Sequence, residues 1–395
     1  MRFPLQFDFI PYPLWRRSVS SPAARVLFRL GVNALTAGNQ PMDTPENMTP
    51  ARLADALTRW NMLPAGMSAQ DVKLALERAV TVEYVAENVV ARADPPEVPI
   101  RLPAQWEPIE AVITAFPVLY PPLWKVHAAM IQAIAEVARV DVLIPHTAWS
   151  AAIKLWMDAF YPGIVWERVR FIVTPLNDIW VRDYGPIVGH DSHGKQVAID
   201  ARFSPLSAYP QAEDDRLPVR WAALRGMPVH HLPLYTEGGN IWSDGAGTLI
   251  MSDELIDRHA QLGLSRDQVE SDMHRYYAFE KLILTPRLWR EETGHVDLVC
   301  KLADAHTILV GAATPFKNAN RLRAARAVFE RETNAAGERY RVIDLPMPQV
   351  TLNWGVYPIW RSYTNSLTVN GRVLVPVFGL PSDSAALRIY QAAMP

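Results

Sequence analysis

Three carboxylates and one histidine stand in short polar motifs along this chain, and they define the chemistry it can do. Asp183 lies in Asn-Asp-Ile-Trp-Val-Arg-Asp-Tyr-Gly-Pro (177–186). Glu237 opens Glu-Gly-Gly-Asn (237–240). His295 and Asp297 lie in Gly-His-Val-Asp (294–297). A histidine can act as general acid and base near neutral pH, and a carboxylate beside it can anchor a cation. Such a set has two uses. One is a metal site, since His, Asp and Glu bind divalent ions. The other is recognition of a guanidinium, whose planar fork of N–H donors pairs with carboxylates in bidentate fashion. No HExxH-like metal spacing is present.

Neighbouring residues refine these motifs. Gly238 and Gly239 permit close backbone approach, so Glu237 can be aimed into a cavity and Asn240 lies next to it. Read as a strand, Asp-Ile-Trp-Val-Arg-Asp places Val181 and Asp183 on one face and Trp180 and Arg182 on the other. By the same alternation His295 and Asp297 share a face, with Val296, Leu298 and Cys300 opposite. Cys300, between Val299 and Lys301, reads as a buried structural thiol. A polar run, Arg361–Ser366, holds Asn365 and suits a substrate-facing loop. Each motif alone has a blander reading as a salt-bridged edge strand, a plain turn, a satisfied histidine or an ordinary loop.

The motifs fall at the starts of successive modules, and this is what would bring them together. Ala-Val-Ile-Thr-Ala-Phe-Pro (111–117) reads as a strand. A helix over 124–139 follows, with Val126, Met130, Ala133, Ile134 and Val137 on one face. Residues 141–145 then form a strand. After these, strands, helix and strand recur. The Asp244-Gly245 and Asn370-Gly371 pairs are hairpin signals, the latter of type I′. A strand–strand–helix–strand unit is expected about four times, with a fifth copy ending after its helix. Such repeats suit an α/β fold of modules set around an axis.

Residues 1–100 differ. The first ~48 are proline-rich and without clear period. Two helices are expected next, one from Pro50 and one from Ser68 to about Val90, the second with Ser68 and Asp71 as a capping box. The proline-rich stretch after Arg92 marks a boundary, so 1–100 is expected as an N-terminal helical extension and 101–395 as the main domain.

Composition excludes several function classes. Apolar residues are 49% and charged residues 20%, with a net charge of −2 and the two signs intermixed. No nucleic-acid footprint or polybasic membrane patch follows from that. One cysteine excludes an internal disulfide framework and a cysteine-rich zinc site. No run reaches the ~18 apolar residues of a membrane span, and prolines and charges interrupt the first residues where a signal peptide needs an apolar stretch. A cytoplasmic location is the default expectation.

With Leu-Pro-Ala-Gln-Trp-Glu-Pro-Ile-Glu-Ala-Val-Ile-Thr-Ala-Phe-Pro (102–117) leading, the motifs at 177–186, 236–241, 293–297 and 361–366 stand in the order found in agmatine deiminases and the related bacterial-type peptidyl-arginine deiminases. Over residues 101–395 the chain resembles that family. The resemblance implies the five-module α/β propeller of the pentein fold, here with an incomplete fifth module. It implies hydrolysis of the guanidinium of agmatine, arginine or peptidyl-arginine to a ureido product and ammonia, and with agmatine a place in putrescine and polyamine metabolism. Asp183 and Asp297 would hold the guanidinium, His295 would be the general acid/base, and Glu237 would join the acidic cluster. Trp180, Asn240 and Asn365 match substrate-pocket positions. No metal or organic cofactor is implied, and penteins often pair, so a homo-oligomer is compatible.

The family's nucleophile is a cysteine in a glycine-rich segment after the last module's helix, and residues 1–395 hold no such segment. The chain as it stands is therefore expected to be inactive. A longer reading frame is expected to add ~40–60 residues with a cysteine after two glycines. The alternatives are an amidinotransferase of the same fold and a non-catalytic guanidine-binding protein.

Overall fold

The structure, a computed structural model, describes residues 54–55, 58, 68–76, 81–86, 88–118, 123–203, 211–291, 293–313, 318–353 and 357–394. It is a mixed α/β fold containing a parallel sheet. The chain divides into two compact units, one of residues 1–88, 109–181 and 205–220, the other of 89–108, 182–204 and 221–395. Among the described residues no helix is long and apolar enough to cross a membrane.

The first unit is built on four parallel strands, β1 (Val82–Tyr84), β2 (Ala111–Ala115), β3 (Arg139–Ile144) and β4 (Val169–Val173), in the order β1-β4-β3-β2. Parallel neighbours need crossovers, and the helices Trp124–Ala135 and Ala148–Phe160 supply them. The first of these buries Trp124, Ala128, Ile131, Ile134 and Ala135, while Val126 is exposed. That face is rotated from the expected one. The helix is apolar nearly all round, and Trp124 decides which stripe turns inward. Its indole N–H donates to the Pro117 carbonyl at 2.8 Å, and its ring meets Phe116, Trp149 and Trp156 edge-on.

Between residues 68 and 100 the described residues form a strand as well as a helix. The helix expected from Pro50 lies mostly outside the described residues. The Ser68–Asp71 capping box is present, with the Ser68 N–H donating to Asp71 Oδ2 at 2.8 Å and the Asp71 N–H to Ser68 Oγ at 3.2 Å. The helix it starts, Ala69–Leu76, does not reach Val90. Val-Glu-Tyr at 82–84 pairs with β4 as a strand, as its β-branched and aromatic residues favour. Residues 89–108 pack in the second unit, where the Arg92 N–H donates to Val229 and the Ile100 N–H to Tyr276. The change of unit thus comes before the expected boundary at 100.

The second unit repeats one pattern three times. Its strands are β5 (Ile187–His190), β6 (Gln196–Ala201) and β7 (Val229–Leu232); β8 (Trp242–Ser243), β9 (Thr248–Ser252) and β10 (Lys281–Thr285); β11 (Cys300–Leu302), β12 (Thr307–Gly311) and β13 (Arg341–Leu345). In each set the first two strands form an antiparallel hairpin, and the third runs parallel to the second after a helical connection. Two further hairpins follow, β14 (Thr351–Asn353) with β15 (Tyr357–Ile359) and β16 (Leu367–Val369) with β17 (Arg372–Leu374), and then the helix Asp383–Ala393. Asn370 and Gly371 both have positive φ, 43° and 80°, as a type I′ turn requires. Three complete copies are therefore described, and the sheet before them is all-parallel rather than hairpin-led.

The central strands are buried on both faces, which explains their unbroken apolar sequences. Leu249 and Met251 of β9 enter one core with Val197, Ile199 and Met273, while Ile250 enters the next with Ile308, Val310 and Phe329. Leu309 of β12 faces a third core with Tyr363 and Tyr390.

Candidate functional site

Immediately before the first strand of each successive copy the chain makes a tight turn. These are the short helix Val181–Tyr184, the 3₁₀ turns Gly238–Asn240 and Val296–Leu298, and the turn through Ser362–Ser366. Asp183, Glu237, Asn240, His295, Asp297 and Asn365 lie in or beside them. Two of these segments correct the sequence expectation, which made them strands with alternating faces. At 181–184 a helical turn forms just ahead of Gly185-Pro186, and β5 begins only at Ile187. At 296–298 a tertiary contact decides. Asn240 Oδ1 accepts from the Val296 N–H at 3.1 Å and from the Ser252 N–H at 2.9 Å, and the Val299 N–H turns back to the Val296 carbonyl.

The turns bring four of the expected residues together within the second unit. His295 sits between two carboxylates. Its Nε2 lies 2.7 Å from Glu237 Oε2 and its Nδ1 3.3 Å from Asp183 Oδ1. His295, Glu237 and Asp297 are buried, and the Asp183 side chain is 15% exposed. Glycine is needed at both positions after Glu237. A Cβ on Gly239 would lie 2.4 Å from His295 Nδ1 and 2.5 Å from Asp183 Oδ1, and one on Gly238 would lie 2.2 Å from the Arg182 carbonyl.

Burial and charge pull against each other here. Burial alone would push the His295 imidazole down, but Asp183, then Glu237 and Asp297, raise it to about 10. Burial pushes the Asp183 carboxyl up to about 7, against the pull of His295. Burial also raises Asp297, with His295 and Arg182 opposing. The carboxylates beside its two ring nitrogens thus favour the charged form of the imidazole over the neutral one. Three carboxylates thus surround one imidazole, and the cations of Arg182, Arg258 and Lys301 also act on them.

Residues that the sequence did not single out complete the surroundings. Arg258 Nη1 lies 3.3 Å from Glu237 Oε1, and its Nε lies 3.2 Å from Glu254 Oε1. A pocket beside His295 is lined by Tyr235, Glu237, Asn240, Glu254, Arg258 and Thr293, among others. Glu254 and Arg258 are four apart on one helix, a spacing that in sequence reads as an ordinary surface pair. Lys301 is also buried. Its ammonium donates to Gln105 Oε1 at 2.6 Å and to the Ser366 carbonyl at 3.1 Å, over the Trp242 ring.

Two further candidates differ from the His295 cluster in burial. Trp180 and Asn365 are exposed. The turn that carries Asn365 does reach the site's backbone, since Thr364 Oγ1 donates to the Asp297 carbonyl at 2.7 Å. Cys300 is fully buried in the core with Trp242, Ile250 and Val310, and burial raises its thiol well above the ordinary range.

Comparison with known proteins bears on this geometry. The family model for Porphyromonas-type peptidyl-arginine deiminase matches residues 101–395. An agmatine deiminase of Stutzerimonas stutzeri is 29% identical over 328 residues, covering 74% of this chain and 88% of that protein. One from Pseudomonas syringae pv. syringae is 29% identical over 349 residues, covering 78% and 90%. Among solved structures, the agmatine deiminase of Enterococcus faecalis superposes with a TM-score of 0.66 at 21% identity, over 77% of this chain and 92% of that one, a likeness of fold.

Proposed function

The chain belongs to the Porphyromonas-type peptidyl-arginine deiminase family, and on that premise we propose that the His295 cluster is a guanidinium site for deimination of agmatine, arginine or peptidyl-arginine. The observation that carries this reading is the buried imidazole held between Asp183 and Glu237, with Asp297 two residues along the same turn. Asp183 and Asp297 would each pair with guanidinium N–H groups and fix the plane of the substrate. His295 would deliver its proton to the departing ammonia and then take one from the water that forms the ureido product. Three repeated modules and the last hairpin, β16–β17, with the helix after it support the pentein arrangement that the sequence motifs imply.

The family's covalent step uses a cysteine thiolate at the guanidinium carbon. Cys300 does not serve here: a fully buried thiol with a raised pKa is neither accessible nor ionised. The roles assigned to this chain's residues are therefore cation binding, alignment and proton transfer.

Titration calorimetry with agmatine, arginine and a blocked arginine peptide tests the site. At least one should bind, and Asp183→Ala and Asp297→Ala should each weaken it by about 10- to 100-fold, the loss of a charge-assisted hydrogen bond. Absence of binding by all three, or full affinity in both variants, would overturn the assignment.

A further inference from the structure

A ladder of alternating charges leads from His295 toward solvent. Its first step is His295 Nε2 on Glu237 Oε2 at 2.7 Å, and its second is Glu237 Oε1 on Arg258 Nη1 at 3.3 Å. The third is Arg258 Nε on Glu254 Oε1 at 3.2 Å. The fourth is Glu254 Oε2 on Arg287 Nη1 at 2.6 Å, and Arg287 also meets Asp257 at 3.0 Å and Asp253 at 3.6 Å. Exposure rises along it, from 6% at His295 and 8% at Glu237 to 22% at Arg258 and 55% at Asp257.

Arg258 is the step that matters most for His295. A carboxylate presents two oxygens, and in Glu237 one meets His295 while the other meets Arg258. A rigid guanidinium on one oxygen, itself anchored at Nε by Glu254 and lying 5.5 Å over the Tyr235 ring, sets the direction in which the other oxygen points. We propose that Arg258 is a positioning residue that fixes Glu237 so that Oε2 stays on His295 Nε2. This rests on the reading above only in giving His295 its proton-transfer role. The geometric claim stands apart from whether a guanidine binds.

The carboxylates that act on His295 are Asp183, Glu237 and Asp297, and the cations beside those carboxylates are Arg182, Arg258 and, at Asp297, Lys301. This makes the sign of the test informative. Arg258 is a cation near the imidazole. If it acted only through its field, removing it would raise the proton affinity of His295 or leave it unchanged. If it positions Glu237, removing it lets Oε2 turn away from His295, and the proton affinity falls.

The experiment is an NMR titration of histidine-labelled protein, with His295 assigned from a His295→Asn spectrum. Wild type should show a downfield Nε2–H proton on His295 that persists well above pH 7. In Arg258→Met that signal should be lost, and the titration should move down by roughly 1–3 units, the span that a close opposite charge imposes. Arg258→Lys, which keeps the charge and part of the reach, should recover part of the shift. Both variants alter a partly exposed side chain, and circular dichroism would show that they fold. Should Arg258→Met fail to fold, Glu254→Gln loosens the same anchor and should move His295 in the same direction. A retained downfield signal, or an unchanged or raised titration in a folded variant, would overturn the proposal. Calorimetry with agmatine on wild type separately reports the guanidinium reading, so either can fail alone.

Discussion

His295 has a carboxylate beside each ring nitrogen, and on the guanidinium reading proposed above, protons and substrate compete for the same oxygens. Asp183 is the group that feels this in the neutral range. Its carboxyl is pushed up to about 7 by burial, so below that pH it is largely protonated and offers a guanidinium one charge less. Binding a cation favours the ionised form and therefore expels the proton. Agmatine affinity should accordingly weaken by about tenfold for each unit of pH below 7 and level off above it. His295 stays protonated throughout this window, because its raised value of about 10 lies beyond it. Calorimetry between pH 5.5 and 8.5, repeated in buffers of different ionisation enthalpy, would show one proton released per guanidinium bound on the acid side. A flat affinity across that range would mean that Asp183 is not part of the cation site.

The elements of the fold were legible where local chemistry decides them. The Asn370-Gly371 turn and the unbroken apolar runs of β9 and β12 depend on conformational freedom and burial that any reader of the residues can weigh. The two turns that carry Asp183 and His295 were not legible as turns. Four or five residues are too few for period to separate a strand from a helical turn, and the deciding contact is remote in sequence. Asn240 Oδ1 takes the N–H groups of Val296, 56 residues away, and Ser252, 12 away. The residues of the candidate cluster were nonetheless legible, because residue type and motif order do not depend on that local geometry. Arg258 and Lys301 were missed because their roles come from what packs against them. The Asn240 contact has a measurable consequence. Asn240→Ala leaves two buried N–H groups without their acceptor, each costing about 1–3 kcal/mol. Urea unfolding followed by tryptophan fluorescence should show that loss, with guanidine affinity falling in parallel as the His295 turn is released. A stability change under about 0.5 kcal/mol would show that other groups hold the turn.

At the scale of the second unit, successive copies are joined by shared cores rather than by independent ones. The second copy's β9 has one face in the core it shares with β6 and β7 and the other in the core it shares with β11 and β12. The third copy's β12 has its opposite face against Tyr363 and Tyr390, beside the last hairpin. Opening any one of these cores therefore strips a strand that another core needs, and partial opening is costly. Cys300 is a built-in reporter of this coupling. Its thiol lies within the middle core, against residues from both flanking sheets, and can meet solvent only when they separate. Reaction of native protein with a disulfide reagent should therefore be far slower than that of a free thiol. In urea, its midpoint should coincide with the loss of tryptophan fluorescence and with the loss of guanidine binding. Labelling that runs ahead of both would mean that the β11–β12 sheet opens by itself, and that the copies are not cooperative. The same reagent separates structure from chemistry. Cys300→Ala should bind guanidine as wild type does, because the thiol it removes belongs to the core that supports the site.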